Sequence, residues 1–160
     1  MTMFTFARCA RGDELKELAD GISPLELVGV PEERVRSMRG WLHALAATCR
    51  TYVVRTGGML AGICFVKDLE GPPRRMVAFV KTERFTARRT EAARSVPEQF
   101  RCLARLERES GRAGTPMYFS VPFEDVSARG WYVRMGCTAA EGTLLRFPEW
   151  VEQGKEVRDG

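Results

Sequence analysis

Three apolar runs follow one another in the middle of the chain, and glycine-containing turns divide them. Thr56-Gly57-Gly58 separates Thr51–Arg55 from Met59–Lys67, and Glu70-Gly71-Pro72-Pro73 separates the second run from Arg75–Lys81. Two adjacent glycines accept the positive φ angles of a tight hairpin, and prolines end a regular element. The spacing predicts three consecutive strands in an antiparallel meander. Any fold for the chain has to be built around that meander.

What flanks it alternates in character. Met3-Phe-Thr-Phe-Ala-Arg8 switches between apolar and polar residues and reads as a first strand. Asp13–Ala19 reads as a short helix, acidic in its first turn and ended by Gly21. Ile22–Val30 is a loop, and Pro31 opens a second helix at a position where its missing N–H costs nothing. Val35, Met38, Trp41, Leu42, Leu45 and Cys49 give that helix an apolar stripe. Beyond the meander, Thr82–Val96 is rich in arginine and fits either an extended loop or a short polar helix. Pro97 then starts a helix that buries Phe100, Leu103, Ala104 and Leu106 and stops at Gly111. A strand (Pro116–Val121), a helix (Asp125–Gly136) and a last strand (Gly142–Phe147) complete the order. Such a mixed succession predicts a sheet with helices packed on it. Residues 1–147 are expected to form one domain and 148–160 a polar tail.

Composition narrows the function classes. No apolar run approaches the roughly 18 residues of a membrane span, and the N-terminus lacks a secretory apolar stretch. The formal net charge of +4 tolerates anionic partners without implying nucleic acid. The arginine-rich segment carries no interleaved aromatics, which argues against a nucleic-acid face. Cys9, Cys49, Cys64, Cys102 and Cys137 are scattered and His43 stands alone, so no metal-ligand set or disulfide framework is legible. The expected thiols are reduced and packed as small hydrophobes.

The C-terminal helix carries the most specific pattern. Asp125, Ala128 and Tyr132 lie along one face, and Gly136 ends the helix by taking the left-handed conformation. This resembles the last signature of the GNAT N-acetyltransferase superfamily, an Asn, Ala, Tyr and Gly in that order followed by Phe. Here Asp125 stands for the Asn and Cys137 for the Phe. The order of elements from about Met3 to Phe147 is also similar to that family's. The resemblance implies an α/β (α+β) fold, a mixed and mostly antiparallel sheet of about six strands with helices on both faces. It implies a fourth and a fifth strand that splay to admit acetyl-CoA. It assigns Tyr132 as the acid that protonates the departing thiolate. The backbone of Ala78, Phe79 and Val80 would polarise the thioester carbonyl, and Asp125 and Ala128 would flank the cofactor. The residues alone equally allow Tyr132 a packed ring and a wetted hydroxyl.

One departure weakens the activity that the resemblance implies. The family holds the cofactor pyrophosphate on a glycine-containing loop before a helix, where free N–H groups converge. The nearest register here is Arg84-Phe-Thr-Ala87-Arg88-Arg89, with Ala87 in the glycine position and the following helix distant at Pro97. Arginine forks can still hold phosphate, so Arg84, Ala87, Arg88 and Arg89 remain the cofactor-binding candidates. A general base has no clear place, and Glu124 and Asp125 serve as readily as surface charge or helix cap. The chain is therefore read first as a degenerate member acting as a structural or protein-binding component. It is also similar to the acetyltransferase-like virion proteins of short-tailed bacteriophages. That similarity implies phage structural proteins or a second copy as partners, and a location in the cytoplasm or in a virion. The alternative is an active N-acetyltransferase moving an acetyl group from acetyl-CoA to an amine, with no metal.

Overall fold

The computed structural model describes residues 4–8, 10–112 and 114–152. Cys9 and most of the expected polar tail fall outside them. Seven strands form one sheet in the order β1-β2-β3-β4-β5-β7-β6. They are β1 (Phe4–Arg8), β2 (Arg50–Thr56), β3 (Met59–Leu69), β4 (Arg74–Lys81), β5 (Met117–Ser120), β6 (Thr138–Ala139) and β7 (Leu144–Arg146). The helices are α1 (Gly12–Asp20), α2 (Glu32–Arg36), α3 (Met38–Thr48), α4 (Glu83–Thr86), α5 (Arg89–Glu109), α6 (Val126–Arg134) and α7 (Glu149–Glu152). A 3-10 turn spans Pro24–Leu27. The architecture is the expected mixed α/β one, with β6 as the additional strand. Two residues give too little alternation to be legible as a strand.

The meander forms where the sequence places it. Gly57 and Gly58 turn β2 into β3 with φ of 56° and 79°. The pairing shifts register after Val54, which faces Gly62, whereas Arg55 faces Leu60. Ala61 is thereby an inserted residue, a bulge. β1 pairs antiparallel with β2, and β5 and β6 both pair antiparallel with β7. β4 and β5 run parallel, with Arg75 opposite Met117 and Met76 opposite Tyr118. Past those two pairs, Phe119 and Ser120 of β5 pair with Leu145 and Leu144 of β7.

The chain forms two compact units, Met1–Lys67 with Phe79–Val96, and Asp68–Ala78 with Pro97–Gly160. In the first unit both faces of the sheet are covered. Leu15, Leu18, Met38 and Leu42 from the helices pack against Val53, Ile63, Phe65 and Val80. Val54, Ala61 and Phe85 form a second cluster. Two covered faces explain why β2 and β3 read as near-continuous apolar runs rather than alternating ones. The second unit buries Phe100, Leu103, Ala104, Leu106, Met117, Leu145 and Phe147. The predicted face of the long helix is therefore the one that packs.

Two expected boundaries move. The helix expected to open on Pro31 is broken into α2 and α3, and Pro31 caps the first of them. The long helix begins at Arg89 and carries Pro97 inside it. A proline within a helix forfeits one hydrogen bond and costs about 3 kcal/mol. Here the helix persists because Val96, Phe100, Leu103 and Ala104 are buried on either side of it. The connection from β4 to the following helix is consequently short, with the single turn α4 inside it.

Candidate functional site

In the first unit the candidate residues lie at the end of β4 and in the connection to α5. Backbone groups alternate between the two edges of a strand. The Thr82 N–H donates to the Ala61 carbonyl of β3 at 2.9 Å. The Lys81 carbonyl accepts from Ser23 N–H at 2.9 Å, on the other edge. The amide and carbonyl of Phe79 share that outer edge, while those of Ala78 and Val80 turn toward β3. Of the three backbone amides proposed for a thioester carbonyl, strand alternation thus presents Phe79.

The outer edge of β4 is occupied beyond Phe79. Ile22 bridges antiparallel to Thr82, and Glu83 N–H donates to the Gly21 carbonyl at 2.8 Å. Ser23 is fully buried, and its hydroxyl lies 2.8 Å from the Thr86 hydroxyl. The Lys81 backbone N–H reaches the Glu26 carboxylate. Burial raises the Glu26 pKa above its ordinary value, and the Lys81 charge and amide oppose that rise. The sequence marks Ile22–Val30 as a loop but not its role, because a Ser-Pro step signals a turn and not what the turn covers. Ser23 caps the 3-10 turn, its hydroxyl accepting from Leu25 N–H.

The arginine-rich connection is helical rather than looped. Thr86, Ala87 and Arg88 N–H groups donate to the carbonyls of Thr82, Glu83 and Phe85. Ala87 has φ −62° and ψ −23°, the right-handed helical region, which needs no glycine. Arg84 and Arg88 are exposed, and Arg88 pairs with Glu91 at 3.7 Å. Arg89 opens α5. The Phe79 ring meets Phe85 edge-on at 6.4 Å, and Lys81 Nζ sits 5.3 Å from the Phe79 ring centre.

In the second unit the motif residues sit together on and beside α6. Asp125 is its N-cap, and its Oδ1 accepts from Ala128 N–H at 3.1 Å. At the far end Gly136 takes φ 104°. Cys137 N–H then reaches the Tyr132 carbonyl, and Gly136 N–H the Val133 carbonyl. That is the Schellman arrangement, which satisfies the last carbonyls of a helix. Tyr132 is half-buried in an aromatic cluster. Its ring meets Phe119 edge-on at 4.9 Å and lies parallel to Phe100 at 6.3 Å, while Phe147 stacks on Phe100 at 4.6 Å. Cys137 is buried, and burial pushes its thiol up to about 12. Asp125, Ala128 and Tyr132 are thus joined by one capped helix.

Among the described residues, no group of three His, Cys, Asp or Glu could hold a metal ion, and no helix is long and apolar enough to cross a membrane. Among the described residues, Cys49, Cys64, Cys102 and Cys137 are not in disulfides.

Comparison with family models and with curated protein sequences found no match. Solved structures do match. An N-acetyltransferase from Staphylococcus aureus Mu50 superposes with a TM-score of 0.59 at 9% identity, over 91% of this chain and 97% of that one. The PaiA N-acetyltransferase from Thermoplasma acidophilum, solved with coenzyme A, gives 0.58 at 10% identity, over 90% and 96%. A GNAT family acetyltransferase from Brucella melitensis, solved with acetyl-CoA, gives 0.56 at 14% identity, over 91% and 88%. Identity this low speaks for architecture alone, and the architecture is clear: the chain has the GNAT acetyltransferase fold.

Proposed function

We propose that this GNAT-fold chain acts as a structural or protein-binding component in which acetyl-CoA binding is weakened or lost. One observation carries the reading. Five of the N–H groups that follow β4, those of Thr82, Glu83, Thr86, Ala87 and Arg88, donate to carbonyls within the chain. A pyrophosphate needs several convergent donors that are not already paired. Ala87 adds a side-chain carbon where close approach calls for glycine. Assembly into a phage particle is the setting suggested by the similarity to short-tailed phage virion proteins.

Isothermal titration with acetyl-CoA tests this reading. The expected result is no saturable heat up to about 1 mM cofactor, a limit near −4 kcal/mol of binding free energy. Micromolar binding overturns it.

The second reading is an active N-acetyltransferase, favoured by the outer-edge amide of Phe79 and by Tyr132 on its capped helix. The Phe79 N–H would polarise the thioester carbonyl. As an amine takes the acetyl group and the C–S bond breaks, the Tyr132 hydroxyl would give its proton to the coenzyme A sulfur, and the proton shed by the amine would pass to water. This reading requires acetyl-CoA binding that survives Tyr132→Phe together with turnover that does not.

A further inference from the structure

The outer face of α6 is apolar and exposed. Val126 is 73% exposed, Val133 53% and Phe123, just ahead of the helix, 58%. Val126, Gly130 and Val133 fall at i, i+4 and i+7, so they share one side of the helix. With Phe123 and Arg129 they line a groove of about 380 Å³. Scattered exposed apolar residues are ordinary on a protein surface, whereas a contiguous patch marks an interaction site.

The charge within the patch is turned inward. Arg129 Nη1 donates to the Val121 carbonyl at 2.6 Å and to the Thr143 carbonyl at 3.1 Å. Its guanidinium also covers the Phe123 ring, 4.8 Å from the centre. A cation spent in this way fixes Phe123 and leaves the groove floor apolar. Gly130 carries no side chain, and the atom nearest to where a Cβ would sit is Arg134 Nη1 at 3.9 Å, the far end of a flexible side chain. With no Cβ in the way, another backbone can come close there once the Arg134 side chain swings aside. The two ends of the helix carry opposite charges, with Glu124 and Asp125 exposed at the start and Arg134 exposed at the finish.

We propose that this face docks a second copy of the chain, with two α6 helices packed antiparallel about a two-fold axis beside Gly130. That one operation pairs the apolar residues of the two faces and the opposite charges of the helix ends. Val126 of each copy meets Val133 of the other, and the acidic start of each helix lies beside the basic end of its mate. The helix dipoles oppose in the same sense. Self-complementarity of this kind is what a two-fold interface requires. The patch is small, so association is weak and reversible. It is also independent of whether acetyl-CoA binds, so a titration with cofactor and the assembly state report separate things.

Sedimentation equilibrium of the full chain, from about 1 to about 200 µM, tests the proposal. The expected result is a monomer–dimer equilibrium that Val126→Glu weakens at least tenfold. An acidic residue suits the first turn of a helix, so the circular dichroism spectrum and melting temperature should hold. Should that variant misfold, Val133→Lys makes the same test at the other end. Arg134→Glu should also weaken the dimer, and adding Glu124→Arg to it should restore association. A chain that stays monomeric throughout overturns the proposal, as does a dimer indifferent to Val126→Glu and Val133→Lys.

Discussion

Single atoms decide two positions. Gly62 lies in β3, and an added Cβ would run into the Val80 carbonyl and come within 2.9 Å of the Phe79 ring. Backbone cannot yield as a flexible side chain can, so Gly62→Ala should cost about 1–3 kcal/mol, read from urea unfolding. Cys137 shows a different effect. Its folded thiol titrates near 12 against an ordinary 9.0. The unfolded chain therefore loses this proton first, and the folded form binds more protons between the two values. Stability from this group is fully present below about pH 9 and declines as pH rises toward about 12. Alkylation should show the same burial, with Cys137 labelled by iodoacetamide at pH 8 only after unfolding in urea.

At the scale of elements, the buried ion pair of the second unit ties three of them together. Arg75 on β4 and Glu107 on α5 approach to 3.3 Å, with side chains 3% and 1% exposed. Arg75 also donates to the carbonyls of Thr115 and Arg112, each at 2.6 Å. It thereby fastens the turn before β5 beside the parallel pairing of Arg75 with Met117. Removing one partner strands a buried charge, so Arg75→Ala should cost about 3–5 kcal/mol in urea unfolding. Exposed pairs such as Lys16–Asp20, at 3.6 Å, should contribute well under about 1 kcal/mol. Nothing near Glu107 in the sequence marks it as buried, because its partner is 32 residues away. Pro97 misled in the opposite direction. It is a local signal for a helix start, overridden by the packing of the residues around it.

For the whole molecule, the two functional readings separate in a thermal melt. A cofactor bound with micromolar affinity, supplied at about 1 mM, would add about 4 kcal/mol of apparent stability. The expected outcome is a melting temperature that acetyl-CoA leaves within about 1 °C. Fold and activity rest on different physical features. The fold depends on apolar faces and turns, which tolerate substitution, whereas a phosphate cradle depends on a few unpaired amides.

By itself the sequence determined the meander, the apolar face of the long helix and the capped C-terminal helix. Each of these rests on neighbours within a few residues, such as Gly57 beside Gly58, or Asp125 three positions before Ala128. Only the tertiary structure decided that the Gly21–Glu26 loop covers the end of β4, that Ser23 meets Thr86 and that Arg75 finds Glu107. Those contacts join residues far apart in the chain, and nothing in local periodicity encodes which distant group a backbone amide will satisfy.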